Sequence, residues 1–102
     1  TRSFLYIDEC IEGIIRLMNS DYKKPINIGS DEMVSINQLA QMAIDISGKD
    51  LKIKNVYSTA LGVKGRNSDN TLIEQKLNWK PNYSLRKGME KTFEWIAKQY
   101  NL

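Results

Sequence analysis

Apolar residues recur at helical spacing in several stretches of this chain, and short apolar runs ending near glycine or proline separate them. Asp8 suits the N-cap or the first turn of a first helix, whose apolar residues are Ile7, Cys10, Ile11, Ile14, Ile15, Leu17 and Met18. Ser35 and Gln38 form a capping-box pattern at the start of a second helix, and Gly48 is a natural stop for it. Helices alternating with short strands predict a small α/β architecture in which about four helices cover the strands.

Two more helices are expected in the second half of the chain. One should span about Asn70 to Leu77, and the last opens at Ser84, after a bend fixed by Trp79 and Pro81. The short strands are expected within Thr1–Ile7, where Phe4–Ile7 leads directly into the first helix, and over Pro25–Gly29 and Leu51–Val56. A loop then runs from Tyr57 to Asn67 and is the functional candidate.

Size and composition favour one ordinary globular domain spanning residues 1–102. The hydrophobic content is 41%, the charged content is 26% and the net charge is +3. The basic residues are scattered, so no nucleic-acid interface is expected. No apolar run is long enough for a membrane span or a signal-peptide core, and we expect the chain to be soluble and cytoplasmic.

The residues available for catalysis are restricted. The chain has no histidine and a single cysteine, Cys10, so it offers no zinc site and no nucleophile paired with histidine. The spacing of Cys10 is that of a helix core position. Catalytic proton transfer would therefore depend on Asp, Glu, Lys, Tyr or Cys side chains, or on groups from elsewhere.

The run Gly65–Asn70 combines a glycine, an arginine and three helix-capping residue types. Arg66 offers a planar fork that matches phosphate oxygens, and the amides at the start of the following helix could add partial positive charge. Gly65 would let a ligand approach the backbone closely. Arg2, at the start of the first strand, could converge with Arg66 on one diphosphate. The plainer interpretation is a solvated arginine beside helix punctuation.

Several segments, taken in order, resemble the C-terminal part of the extended short-chain dehydrogenases/reductases that act on nucleotide sugars, an NAD-dependent epimerase/dehydratase family. They are Thr1–Phe4, Ile7–Glu9, Asn27–Ser30, Gly65–Asp69 and Leu77–Pro81. Within this family the chain is most similar to the GDP-mannose 3,5-epimerases. The resemblance implies that Thr1, Arg2 and Arg66 hold the diphosphate of a GDP-mannose-type nucleotide sugar. By position, Asp69 fits a helix cap or an arginine-orienting partner.

The resemblance also implies what lies outside this chain. The family binds NAD through a glycine-rich unit in an N-terminal Rossmann domain, and no Gly-x-Gly-x-x-Gly pattern is present here. The family's Tyr-x-x-x-Lys pair is also expected elsewhere, because Ile26 stands four residues after Tyr22. We therefore expect a substrate-binding C-terminal domain with no catalytic, cofactor or metal residues, inactive alone, from an NAD-dependent homodimeric parent enzyme.

Other functions remain open at this stage. A related 4-epimerase, 4,6-dehydratase or UDP-glucuronate decarboxylase would share much of the same pattern. A non-catalytic interaction module, with the arginines as surface charges, is the alternative from a different class.

Overall fold

The computed structural model describes residues 1–56 and 64–101. In this part of the chain it has four helices and one antiparallel two-stranded sheet, which confirms the α/β class and the expected layout. The helices are α1 (Ile7–Met18), α2 (Ile36–Ser47), α3 (Thr71–Leu77) and α4 (Leu85–Tyr100), and the strands are β1 (Arg2–Ser3) and β2 (Met33–Val34). None of the helices in these residues combines the length and the apolar content needed to cross a bilayer.

The helix ends follow local signals that the sequence carries. At α2, the Ser35 hydroxyl accepts the N–H of Gln38 at 3.0 Å, and the Gln38 side chain accepts the N–H of Ser35 at 2.7 Å. Gly48 ends this helix with a φ of 68°, a left-handed conformation that glycine adopts without a steric penalty. At α4, the Ser84 hydroxyl accepts the N–H of Lys87 at 3.2 Å. Both N-caps were correctly predicted.

The strands are shorter and fewer than expected. The first ladder uses Arg2–Ser3, inside the expected strand Thr1–Ile7, but its predicted part Phe4–Ile7 was wrong, because residues 4–6 are not in a strand and Ile7 already belongs to α1. The segments 25–29 and 51–56 are not strands in the described residues either. Leu51 is 56% exposed and Val56 is 83% exposed, so their alternation does not mark a buried face. A segment with strand propensity forms a strand only where another segment pairs with its edge. The segment that pairs with β1 in the sheet is β2. The rest of the predicted loop, residues 57–63, lies outside the described residues.

Helix α1 packs directly on the interior through a glycine. A Cβ built on Gly13 would lie 2.8 Å from Cγ2 of Ile28 and 2.9 Å from Cζ3 of Trp79. No larger residue fits this contact without displacing its neighbours. The predicted bend around Trp79 thus closes the inner side of α1.

The outer side of α1 is apolar and exposed. Met18 is 76% exposed, Ile7 is 59% exposed, and the exposed apolar residues of this face are Ile7, Ile11, Ile14, Ile15 and Met18. The spacing of the apolar residues predicted this helix but did not indicate which of them face solvent. The structure divides them between two faces, and we call the exposed one the outer face of α1.

Asp69 sets the start of α3. Its Oδ1 atom accepts the N–H of Thr71 at 3.0 Å. Hydrogen bonds from the side chain and the backbone of Thr71 lower the pKa of Asp69 below its usual value. Asp69 thus bonds the first N–H of the helix from the position before the N-cap, which is Asn70. The first helical N–H, expected to face a phosphate, is instead engaged by this carboxylate.

Gly13→Ala should lower the free energy of unfolding despite alanine's higher helix propensity. The gain in propensity is about 1 kcal/mol, whereas overpacking a close contact costs about 1–3 kcal/mol. We expect a net loss of up to about 2 kcal/mol in urea denaturation. The matched variant Asn37→Ala, at an exposed position of α2, should be neutral or slightly stabilising. A stabilised Gly13→Ala protein would contradict the packing of α1 described above.

Asp69→Ala should remove an acid-sensitive part of the stability. Because the folded-state pKa is lowered, this carboxylate stabilises the fold above its unfolded pKa of about 3.9, and the contribution is lost as the pH falls through the folded value. Urea unfolding between pH 7 and pH 3 should therefore show the difference between wild type and Asp69→Ala shrinking below about pH 4. Asp69→Asn keeps an acceptor oxygen but does not titrate, so it should be more stable than Asp69→Ala at pH 7. Parallel pH profiles for wild type and Asp69→Ala would rule this account out.

Candidate functional site

The first three residues form the centre of the candidate site. On one edge, β1 pairs with β2, with Arg2 opposite Val34. On the other edge it runs parallel to the segment 64–66: the N–H of Arg66 donates to Thr1 O at 3.3 Å, and the N–H of Ser3 donates to Arg66 O at 3.1 Å. The nitrogen of Thr1 donates to Lys64 O at 2.8 Å and extends this ladder. Successive backbone groups of a strand point to opposite edges, so β1 lies between its two partners.

Arg2 and Arg66 are the paired residues of this parallel bridge. Paired residues on neighbouring strands, about 4.8 Å apart, direct their side chains to the same face. Arg2 is half-buried and its Nη1 donates to Thr1 O at 2.7 Å, whereas Arg66 is exposed. The ion pairs found among residues 1–56 and 64–101 all involve other cations. Like charges on paired positions repel each other, so this face can lower its energy by taking up an anion.

Thr1 lies beside both arginines, and its side chain explains why a glycine occupies position 65. Its hydroxyl lies 3.3 Å from Lys64 O, to which it donates. A Cβ built on Gly65 would lie 2.7 Å from Oγ1 of Thr1. The sequence suggested that Gly65 admits a ligand. In the structure, the group that approaches this glycine closely is the threonine side chain.

The segment 67–70 is tied to a second segment, 29–31, by side chains and backbone. Nδ2 of Asn67 donates to Asp31 O at 3.1 Å, and Nδ2 of Asn70 donates to Gly29 O at 3.0 Å. Between these two bonds, the N–H of Ser68 donates to Ser30 O at 3.0 Å. These bonds hold the stretch that begins at Arg66 against the stretch that leads into β2.

These asparagines were interpreted from the sequence only as helix punctuation. Asn70 is the N-cap of α3, but its side chain makes no capping bond there and turns to Gly29 instead. The one local signal was the concentration of asparagine and serine after Arg66. Because their acceptors lie more than thirty residues away in the chain, local spacing could not reveal this arrangement.

The prediction that the chain contains no Tyr-x-x-x-Lys spacing was wrong, since Lys87 stands four residues after Tyr83. The Lys87 ammonium lies 4.3 Å from the ring centroid of Tyr83, over its face. The same ring stacks on Tyr6 with 5.5 Å between centroids. Burial and a hydrogen bond to Asp8 raise the pKa of Tyr6 above its usual value. A lysine over a ring face stabilises the aromatic pair, and this geometry does not place the ammonium at the phenol oxygen.

An apolar cavity lies apart from the arginines. It measures about 340 Å³ and is lined mainly by apolar side chains of α2, α4 and the residues after β1, including Leu39, Met89 and Phe93. Neither arginine lines it. Among the described residues, no group of three histidine, cysteine, aspartate or glutamate side chains could hold a metal ion. We therefore take the arginine face, rather than the cavity, as the candidate site.

Comparison with known proteins places this geometry in a family. No protein-family model matches the chain. GDP-mannose 3,5-epimerase of Arabidopsis thaliana is 52% identical over 99 residues, which are 97% of this chain and 26% of that protein. GDP-mannose 3,5-epimerase 1 of Oryza sativa subsp. indica is 50% identical over the same shares. UDP-glucuronic acid decarboxylase 6 of Arabidopsis thaliana is 35% identical over 89 residues, covering 87% of this chain and 26% of that protein.

The comparison of folds agrees with the comparison of sequences. The structure of UDP-glucose 4-epimerase with UDP-glucose from Thermotoga maritima matches with a TM-score of 0.89 and 26% sequence identity, over 96% of this chain and 32% of that one. The chain thus spans about a quarter of the length of the curated relatives it matches. It belongs to the extended short-chain dehydrogenase/reductase family of nucleotide-sugar epimerases and decarboxylases, and corresponds to a C-terminal part of these proteins.

Proposed function

We propose that this chain is the part of a GDP-mannose 3,5-epimerase-like enzyme that holds the diphosphate of a nucleotide sugar. The observation that carries the proposal is the pairing of Arg2 with Arg66 on one sheet face. The similarity to the plant epimerases, about half of the residues over nearly the whole chain, supports it.

The two arginines contribute differently to such a grip. Each guanidinium can donate two parallel hydrogen bonds to phosphate oxygens. Arg2 is half-buried and braced on Thr1 O, so it loses little freedom when it binds. Arg66 is exposed and can close on the ligand from the neighbouring strand. Thr1 adds a hydroxyl beside both.

The catalytic consequence would be positioning. A diphosphate is remote from the reacting carbons of the sugar, and holding it fixes the ring against groups that perform the chemistry. The described residues thus account for binding and orientation. Catalytic groups are assigned to the remainder of the parent protein.

NAD binding also falls outside what these residues fit. The chain has no Gly-x-Gly-x-x-Gly pattern, and the described residues contain no parallel strand–helix–strand unit that could present one. We assign the cofactor to another part of the parent enzyme, where bound NAD would supply oxidation and reduction of the sugar. No step of that chemistry is assigned to this chain.

The outer face of α1 is the surface that we assign to contact with that other part. A helix that is apolar on both sides is normally buried on both sides. The inner side is already packed at Gly13, while the outer isoleucines are exposed. The curated relatives contain about three quarters of their length beyond the matched part, which is ample to cover this face.

A uridine-sugar enzyme is the second candidate. The similarity to UDP-glucuronic acid decarboxylases and to the UDP-glucose 4-epimerase fold favours it. Both candidates use the same diphosphate grip and differ in the nucleobase and sugar. Calorimetry on the complete gene product with GDP-mannose, UDP-glucuronate and UDP-glucose separates them, because preference for a uridine sugar would overturn the mannose assignment.

Arg66→Ala in the complete gene product should weaken binding of the preferred nucleotide sugar by about 1.5–3 kcal/mol, the range for hydrogen bonds to charged groups. Calorimetric titration measures the loss directly. The control is Arg86→Ala, which removes an exposed arginine paired with Glu90 on α4 and should leave affinity unchanged. Equal affinities for wild type and Arg66→Ala would remove Arg66 from the site.

Ile14→Ala in the complete gene product should lower the free energy of unfolding by about 2–5 kcal/mol if another domain buries the outer face of α1. If Ile14 is exposed in the complete protein, the same substitution should change the free energy of unfolding by less than about 0.5 kcal/mol. Glu12→Ala provides the comparison, since Glu12 makes an exposed ion pair with Arg16 on the same helix. Its expected cost is at most about 1 kcal/mol. A small loss for Ile14→Ala would leave the outer face without a covering domain.

A further inference from the structure

We propose that Asn70 is a positioning residue for Arg66: its buried amide holds the backbone of the segment 66–70 in the register that places the guanidinium beside Arg2. The inference rests on the proposed function, because it assigns a residue to the same diphosphate grip. Asn70 would act without touching the ligand.

Both ends of the Asn70 side chain are used. Asn70 is only 9% exposed. Its Nδ2 donates to Gly29 O at 3.0 Å, and its Oδ1 accepts from the Ser68 hydroxyl at 2.7 Å. A buried amide satisfied at both ends has one orientation of low energy, since turning it would leave polar groups unsatisfied. The amide therefore fixes the distance between the segments 66–70 and 29–31.

The backbones of these two segments are in close contact. The N–H of Ser68 donates to Ser30 O at 3.0 Å. A Cβ built on Gly29 would lie 2.9 Å from Cβ of Ser68, so the two backbones are already as close as a glycine allows. A shift of one segment must therefore move the other.

The backbone pairings and side-chain hydrogen bonds between these segments form a closed circuit that includes both arginines. Residues 29–31 lead into β2, which pairs with β1, and Arg66 pairs with the opposite edge of β1. From Arg66 the chain runs through Ser68 to Asn70, which returns to Gly29. Removing the Asn70 amide takes away the buried side-chain bond of this circuit and leaves the Ser68 N–H to Ser30 O bond and the exposed Asn67 bond to Asp31 O.

Asn67 makes a second, weaker link of the same kind. Its Nδ2 donates to Asp31 O at 3.1 Å, but the residue is exposed. Solvent can replace an exposed hydrogen bond, whereas the buried bonds of Asn70 have no such substitute. Asn67→Ala should thus act in the same direction as Asn70→Ala with a smaller effect.

A double-mutant cycle with Arg66 tests the inference in the complete gene product. Asn70→Ala should weaken binding of GDP-mannose about tenfold in the wild-type background, because Arg66 loses its register. In the Arg66→Ala background the same change should cost less than about twofold, since the arginine through which Asn70 acts is gone. UDP-glucose is titrated in parallel. Asn37→Ala, exposed on α2, is the matched control and should not change affinity.

The outcomes distinguish a failure of the proposed function from a failure of the positioning role of Asn70. If Arg66→Ala leaves the affinity for both nucleotide sugars unchanged, the proposed function fails. If Arg66→Ala weakens binding and Asn70→Ala costs the same factor in both backgrounds, Asn70 has only a general structural role and the positioning inference fails. If Asn70→Ala does not fold, the Asn67→Ala cycle decides: a loss of about threefold that vanishes with Arg66→Ala supports the inference, and an equal loss in both backgrounds overturns it.

Discussion

The parallel hydrogen bonds between β1 and the segment 64–66 are the interaction on which the rest of the candidate site depends. They join the start of the chain to residues more than sixty positions later and make Arg2 and Arg66 neighbours. Because β1 has only two residues and is bonded on both edges, β2 and the segment 64–66 fix its place together. Without this ladder, the two guanidiniums would be separate surface charges with no common face.

The pairing of two arginines is by itself unfavourable for stability. Two cations on paired strand positions repel each other, and a fold selected only for stability would place a carboxylate opposite one of them. The surrounding structure compensates with closely fitted neutral contacts: Gly65 against Thr1, and Asn70 against Gly29. Local arrangements that are unfavourable for stability are common at functional sites.

The helices of this fold could be predicted from the sequence, because their ends are encoded locally. Ser35, Gly48 and Ser84 act within one turn of their own positions. The strands could not, since a two-residue ladder is defined by a distant partner and not by propensity. Arg2 and Arg66 were proposed as a phosphate pair from their residue type and position, and Thr1 from the family resemblance, whereas the bridge that joins the two arginines is visible only in the tertiary structure. The supporting roles of Asn67 and Asn70 depend on acceptors in another segment, which no local spacing contains.

The outer face of α1 has a consequence for handling the molecule. This face exposes four isoleucines and one methionine along three turns of helix. Contiguous apolar surface of this kind is unusual on a small protein domain that exists alone in water. A preparation of these 102 residues without the rest of the parent protein should therefore adhere to itself, to surfaces and to hydrophobic dyes. Salts such as ammonium sulfate would aggravate this behaviour, because they strengthen the expulsion of apolar surface from water.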